Sequence, residues 1–138
     1  MKKLLAVIAM FVIFFNSGEN EDISLLDYFD GEYVAYSNEP LSERCVDLGC
    51  CYMNYGAVDG MVIGESITVE RLEIASAIES LSAKVVKTEV LNDGTNVIYC
   101  FTDKIDCNVM LDGKRVNIQI AEKDEYSVIG WPLILGSF

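Results

Sequence analysis

The sequence predicts an α+β fold with a strand-helix-four-strand order, in which one helix packs on a face of an antiparallel sheet. Apolar residues recur at helical spacing in one segment, residues 74–81, and several later segments show the alternation of strands. Turn residues separate those segments at short intervals. The chain has 138 residues, 51% hydrophobic and 23% charged, which is the composition of a globular protein with a core.

The N-terminus predicts an export leader. Lys2 and Lys3 precede an unbroken apolar run, Leu4 to Phe15, which has the length of a signal-peptide core. The run is shorter than the roughly 20 apolar residues that a membrane span needs. Residues 1–18 are therefore predicted to be a signal peptide, or a signal anchor if they are not cleaved. The predicted location is extracytoplasmic, either secreted or held at the membrane by the leader.

Residues 19–56 are predicted to be an N-terminal helix-strand segment. Asp22 is placed to cap a short helix over residues 23–29, which Asp30 and Gly31 end. A strand is predicted over residues 32–37, before a break at Pro40. Residues 41–56 follow neither the period of a strand nor that of a helix, so no element is assigned to them.

The strand-helix-four-strand domain is predicted over residues 57–138. It opens with a strand at residues 57–67 that bends near Gly60 and Gly64. Thr68 is then predicted to cap a helix of about 15 residues, whose apolar stripe covers residues 74–81.

Strands with short turns fill the rest of this domain. Asn92-Asp93-Gly94 and Asp112-Gly113 are turn signals, and the second is typical of a two-residue hairpin. Residues 116–121 alternate and predict a half-buried strand. Pro132 interrupts the last strand, which is therefore expected at an edge of the sheet or with a bulge. Strand-like runs are predicted over residues 84–91, 95–102, 109–111, 114–121 and 126–135, and they make three or four antiparallel strands after the helix.

Charge and composition exclude several functions. The chain carries 10 Lys and Arg against 22 Asp and Glu, has no His, and has a net charge of -12. Without His, neither a Ser-His-Asp nor a Cys-His mechanism is available, and no imidazole can bind a metal. A leader that contains Lys2 and Lys3 and no acid makes the mature chain more acidic still. Nucleic acid and anionic lipid are therefore excluded as partners, which leaves a protein or another envelope component.

Five cysteines leave several arrangements open, since an odd number cannot all pair within one chain. A disulfide between Cys100 and Cys107 could close a small loop, and Cys45 could pair with Cys50 or Cys51. Buried thiols are the alternative. A metal site built from Cys45, Cys50 and Cys51 lacks a second C-x2-C pair and a His. No cofactor and no metal are predicted.

Two polar residues and one aromatic residue are the candidate binding site. Asn117 and Gln119 project from one face of a strand, where they could line a polar groove with Trp131 beside it. The structural alternative is that Asn117 and Gln119 are edge or solvent-facing sheet residues or satisfy a loop, and that Trp131 is a core or rim anchor.

Carboxylates supply two further hypotheses. Clustered acids could act as a general acid and base in an enzyme, or hold calcium, although turn acids are usually solvated and the spacing is not that of an EF-hand. The candidates for acid and base are Asp103 with Asp106, or Glu122, Asp124 and Glu125. The candidate calcium run is Asp103, Asp106 and Asn108.

Residues 58–138 resemble the YwmB-type family of exported proteins from spore-forming and related low-GC bacteria, whose fold is described as TATA-box binding-like. The matching segments are residues 74–86, residues 96–102, and Gly-Lys-Arg-Val-Asn-Ile-Gln-Ile-Ala at 113–121 followed by Ile-Gly-Trp-Pro-Leu-Ile at 129–134. The resemblance implies an order of strand, helix and four strands, and it implies no established activity.

The fold label of that family names a DNA-binding protein, and physical chemistry argues against this function here. A sheet that lies in the minor groove contacts phosphates through Lys and Arg. The last strands carry Lys114, Arg115 and Lys123 among four acids, and an exported chain does not meet the chromosome. The predicted function is an exported, non-enzymatic binding or structural component of the cell envelope, with a carboxylate enzyme or a calcium-binding module as the alternative.

Overall fold

The computed structural model describes residues 13–14, 24–56 and 58–135, and for 13–14 the backbone alone. Its strands are β1 (Ile13–Phe14), β2 (Glu32–Ser37), β3 (Cys45–Asp47), β4 (Tyr52–Tyr55), β5 (Gly64–Val69), β6 (Lys84–Val90), β7 (Asn96–Phe101), β8 (Asn108–Leu111), β9 (Lys114–Val116), β10 (Ile118–Glu122) and β11 (Ser127–Trp131). The helical elements are a 3-10 turn at Leu25–Asp27 and the helix α1 at Ile74–Ser80.

The strands form two antiparallel sheets. The larger has eight strands in the order β3-β4-β2-β5-β11-β10-β7-β6, and the smaller has the order β1-β8-β9. A sheet-dominated fold with one α-helix in the described part confirms the predicted α+β class. In this part of the chain, no helix has the length and apolar character to cross a membrane.

One side of the large sheet, here called the helix face, packs against α1. Alternating residues of the central strands, such as Ile118 and Ile120, point to this side and share a core with Ala77 and Leu81 of α1. The 3-10 turn adds Leu25 to the same core, and Leu25 is completely buried. The N-terminal segment and α1 therefore cover this face together.

The opposite side, here called the hairpin face, is covered by the β8–β9 hairpin. Val109 and Val116 from the hairpin are fully buried against Val97 and Tyr99 of β7. The chain after β11 completes the cover with Leu133. Because both faces are covered, β10 is buried on both sides from Ile118 to Ala121, and the prediction of a half-buried strand is wrong.

The predicted N-terminal helix is shorter than expected. Only Leu25–Asp27 form a 3-10 turn, which is capped by Ser24, whose Oγ accepts a hydrogen bond from Leu26 N at 3.4 Å. The predicted cap, Asp22, lies outside the described residues. The turn ends early because the chain must pass Thr68 at Gly31, where a Cβ would collide with the Thr68 carbonyl.

The prediction that Thr68 caps a long helix is wrong. Thr68 lies inside β5 and pairs with Glu32 of β2 on one side and Val128 of β11 on the other. Ladder bonds to two neighbouring strands outweigh one side-chain cap, which is worth about 1 kcal/mol. Helix α1 begins only after Glu73, which makes no side-chain cap bond. The predicted apolar stripe is nevertheless the buried side of α1.

The predicted first strand of the domain starts later than expected. β5 begins at Gly64, and the preceding residues 58–63 are not in a strand. Gly64 lies against the carbonyl of Trp131, where a Cβ would meet that oxygen at 2.5 Å. The prediction for Ala57 falls outside the described residues.

The strands and turns between residues 84 and 113 follow the prediction closely, whereas the predicted strand over residues 114–121 is divided between β9 and β10, which lie in different sheets. β6 and β7 end within a residue or two of the predicted bounds, and the turn between them closes with Leu91 N donating to Thr95 O at 2.9 Å. At the next hairpin, Asp112 and Gly113 have φ values of 51° and 78°. Both are positive, as a type I′ turn requires.

The last strand is not at an edge of the sheet. β11 lies between β10 and β5 in the middle of the sheet, and it ends at Trp131, before Pro132. Since Pro132 follows the strand, its missing N–H costs no ladder bond. The unassigned residues 41–56 contain the β3–β4 hairpin, which extends the sheet beyond β2.

Candidate functional site

The three residues predicted to line a groove are all buried. Asn117, Gln119 and Trp131 have exposed fractions of 0%, 1% and 1%. The groove prediction is therefore wrong, because the helix face and the hairpin face are both covered. Of the alternatives, the one in which Asn117 and Gln119 satisfy loops and Trp131 is a core anchor agrees with the structure, since each of the three side chains makes hydrogen bonds inside the protein.

Asn117 fastens the loop between β7 and β8. Its Oδ1 accepts a hydrogen bond from Thr102 N at 2.8 Å. Its Nδ2 donates to Thr102 O at 2.8 Å and to Ile105 O at 3.0 Å. One side chain thus satisfies three backbone groups that no strand pairs, which is what a buried loop requires.

The side chain of Gln119 holds the chain after β11 in place. Its Oε1 accepts a hydrogen bond from Ile134 N at 2.9 Å. This bond holds the segment after Pro132 over the hairpin face, next to Gly130, where a Cβ would approach Ile134 to 2.8 Å. Gln119 therefore positions the last residues of the described chain.

Glu65 is a buried carboxylate that the sequence analysis missed. It is 3% exposed and accepts four hydrogen bonds. Oε1 accepts from Leu25 N at 2.9 Å and from Trp131 Nε1 at 2.7 Å. Oε2 accepts from Ser24 Oγ at 3.2 Å and from the Tyr33 hydroxyl. We call Glu65 and its four donors the Glu65 clasp.

Strand register assembles the clasp. Glu65 pairs with Ala35 of β2 on one side and with Trp131 of β11 on the other, so their side chains share the helix face. Tyr33 lies two residues before Ala35 and therefore faces the same side. A sequence signal existed, because Glu65 stands two residues before the core residue Ile67 and so occupies an inward position.

The four donors of the clasp are neutral groups. Burial is the main cause that raises the pKa of Tyr33 above its ordinary value, and the bond to Glu65 raises it further. Tyr33 therefore remains a protonated donor at neutral pH. The clasp holds Ser24 and Leu25 against the centre of the sheet. Its hydrogen bonds therefore have a structural role.

The carboxylates predicted as catalytic or calcium ligands lie at the surface. Asp103 is exposed and Asp106 is half-buried in the loop that Asn117 holds. Glu125 and Asp124 line an open depression beside Arg71. Among the described residues, no group of three or more acids or cysteines is placed to hold a metal ion.

The turn before β7 contains a carboxylate with a shifted pKa. Asp93 Oδ1 accepts a hydrogen bond from Thr95 N at 3.0 Å, and Asp93 Oδ2 lies 3.5 Å from Lys123 Nζ. The Thr95 bonds, with Lys123 as a smaller cause, lower the pKa of Asp93 to about 2. The folded pKa is below the unfolded value, so Asp93 stabilises the fold above the unfolded pKa, and this contribution disappears as the pH falls towards 2.

We expect an NMR titration of the Asp93 carboxyl carbon to show a midpoint near 2 in the folded chain. In the urea-unfolded chain the midpoint should lie near 3.9. The variant Lys123→Met should move the folded midpoint only slightly, because the Thr95 bonds are the larger cause. A folded midpoint equal to the unfolded one would contradict this account of the turn.

The five cysteines are thiols in the structure. Cys100 and Cys107 are both buried in the core of the helix face, and the disulfide considered between them stays a prediction. Burial raises the pKa of Cys100 to about 11. These two residues behave as small apolar core residues, as the alternative reading of the cysteines predicted.

One long edge of the large sheet is open. β6 pairs with β7 on one side, and no described strand pairs with it on the other. Val85 and Val90 of this strand are 51% and 69% exposed. Tyr99 holds β6 in place by donating a hydrogen bond to Glu89 at 2.7 Å. A rigid edge with exposed apolar side chains is a template for another strand.

These features define a small, sheet-dominated α+β protein whose buried polar side chains fasten its own loops. Comparison of the chain with protein-family models, with curated proteins and with solved structures finds no match. The resemblance to the YwmB-type family therefore stays a prediction that rests on the motifs quoted for residues 74–134.

Proposed function

We propose that this chain is an exported, non-enzymatic domain of the cell envelope, related to YwmB-type proteins, which binds a partner protein along β6. The open edge of β6 is the observation that carries the proposal. An added strand would gain main-chain hydrogen bonds along β6 on either side of the bulge between Val85 and Lys87. Exposed Val85 and Val90 would then lose contact with water.

The buried polar side chains make hydrogen bonds inside the protein, which supports a binding role over a catalytic one. Every buried side-chain nitrogen and oxygen among the described residues has a hydrogen-bond partner. The strongest acceptor, Glu65, is already engaged by four donors. Such groups hold the sheet rigid, which lowers the entropy cost when a partner binds to its edge.

The sheet order supports the proposed TATA-box binding-like arrangement. Five neighbouring strands run β5-β11-β10-β7-β6, and α1 follows the first of them in the chain. This is a strand-helix-four-strand unit into which the β8–β9 hairpin is inserted. The acidic chain, with a net charge of -12, favours a neutral or basic partner over DNA.

Photo-crosslinking in cells of the natural source tests the partner site. A photoreactive amino acid at Val90 should give a discrete crosslinked product, whereas one at Met61, which is 84% exposed and far from β6 in the sequence, should give none. Thr88→Pro in the same strand should remove the Val90 product, because a proline removes an N–H from the ladder. Equal products from both positions, or none from Val90, would reject the binding role.

The mass of the mature protein tests export separately. Loss of residues 1–18 is expected if the leader is a signal peptide, and an intact N-terminus in the membrane fraction is expected if it is an anchor. The clasp holds Ser24 on the sheet, so an anchor would keep the domain close to the membrane. Cleavage would also remove β1, which pairs with β8 at Asn108 and Val109. An intact chain in the cytoplasm contradicts export.

A further inference from the structure

Two cysteines lie next to each other at the turn of the β3–β4 hairpin. The Sγ atoms of Cys50 and Cys51 are 3.7 Å apart. Cys50 is exposed, and Cys51 is 5% exposed in the core of the hairpin face. The turn itself is ordered, because Leu48 N donates to Cys51 O at 2.9 Å and Gly49 N donates to Asp47 Oδ1 at 2.8 Å.

No other cysteine of the chain competes for these two sulfurs. Cys45 lies opposite Asn54 in the hairpin, three residues along β4 from Cys51. This register separates the two by roughly 10 Å along the strand, beyond the reach of a disulfide. The pairing of Cys45 with Cys51 considered from the sequence is therefore excluded in this fold. Cys100 and Cys107 lie in the core of the opposite face.

We propose that Cys50 and Cys51 are a redox-active pair that closes reversibly to a disulfide between adjacent residues by exchange with a small disulfide such as oxidised glutathione. In the first step, the exposed Cys50 thiolate attacks the oxidant, forms a mixed disulfide and releases one reduced thiol. In the second step, the Cys51 thiolate attacks Cys50 Sγ and releases the other thiol. The two cysteines lose two protons and two electrons, and the oxidant gains them.

Geometry makes this bond a reversible modification. Consecutive Cα atoms are about 3.8 Å apart, whereas bridged cysteines usually have Cα atoms about 4.4–6.8 Å apart. A bond between neighbours is therefore strained and easily reduced. Closing the disulfide also draws the Cys51 sulfur out of the core of the hairpin face. Oxidation therefore loosens the packing between the β3–β4 hairpin and β2.

The rate of the second step depends on the protonation state of Cys51. Burial, followed by the hydrogen bond and charge of Cys50, raises the pKa of the Cys51 thiol to about 12. In the mixed disulfide Cys50 is no longer a thiol, so burial, the largest of these causes, is what keeps the Cys51 pKa raised. Because the thiolate is the attacking species, ring closure should accelerate as the pH rises, and the mixed disulfide on Cys50 should be longer-lived near neutral pH than at higher pH.

The test is treatment of the folded full chain with oxidised glutathione, followed by acid quenching, unfolding, alkylation and mass spectrometry. The number of alkylated cysteines should fall from the five present in the chain to three. The peptide that contains Cys50 and Cys51 should be lighter by two hydrogens and carry no glutathione. Dithiothreitol should restore all five thiols.

Matched variants make the result specific. Cys45→Ser should still lose two thiols, whereas Cys50→Ser and Cys51→Ala should form no internal bond; Trp131 fluorescence verifies that each variant is folded. Loss of the bond in Cys45→Ser would overturn the proposal. So would a glutathione adduct on Cys50 whose conversion to the internal bond does not accelerate as the pH rises, because the Cys51 thiolate is the attacking species.

Discussion

Glu65→Ala is expected to lower the free energy of unfolding by about 3–5 kcal/mol. The substitution leaves Leu25 N and Trp131 Nε1 as buried donors without an acceptor, and it releases the hydroxyls of Ser24 and Tyr33. Urea unfolding followed by circular dichroism measures the loss. Since the free energy of unfolding of a small domain is only about 5–15 kcal/mol, this loss is a large fraction of it.

Two further variants separate the clasp from a general effect of removing charge. Glu122→Ala removes a glutamate whose bond to Asn96, 3.2 Å, is exposed, and it should change stability by less than about 0.5 kcal/mol. Glu65→Gln keeps a carbonyl oxygen for two donors, and hydroxyls can accept from its amide, so it should cost less than Glu65→Ala. A loss below about 1 kcal/mol for Glu65→Ala would contradict the clasp.

Asn117→Ala is expected to cost about 2–4 kcal/mol, because it removes three buried hydrogen bonds to the loop after β7. The backbone groups of Thr102 and Ile105 are left without these partners. Beyond the shift in the urea midpoint, the Thr102 amide should exchange its hydrogen faster. Exchange distinguishes a loosened loop from a uniform loss of stability.

Asn96→Ala is the matched control for the role of Asn117. It removes an amide of the same type whose side-chain hydrogen bond to Glu122 is exposed, and it should cost less than about 0.5 kcal/mol. Asn117→Asp should be as harmful as Asn117→Ala near neutral pH, since a carboxylate oxygen would face the carbonyls of Thr102 and Ile105. Equal costs for Asn96→Ala and Asn117→Ala would contradict the fastening role.

Local signals predicted the elements whose geometry is decided locally. The strand at Glu32–Ser37 has the predicted bounds, and the Asp112-Gly113 turn has the positive φ values that these residue types favour. Alternation marked β6 and β7 because their side chains face two different environments. In each case, the residues that determine the conformation are neighbours in the chain.

The same local signals failed where distant segments compete. Thr68 is a residue type that caps helices well, but here it lies in a strand and pairs with residues of β2 and β11. Pro132 suggested an edge strand, yet β11 ends one residue earlier and lies in the centre of the sheet. Neither outcome is visible in a window of neighbouring residues, because the competing partners are tens of residues away.

The α+β class, the acidic charge, the absence of His, and the bounds of several strands and turns can be read from the order of residues alone. Which polar residues face inward, and which groups they hydrogen-bond, depends on the packing of segments that are distant in the chain. Asn117 and Gln119 alternate like surface residues, but the β8–β9 hairpin and the C-terminal segment cover them. Glu65 acquires its four donors from segments that meet only in the folded sheet. Burial is a property of what packs on top of a strand, and the strand's own residues do not encode it.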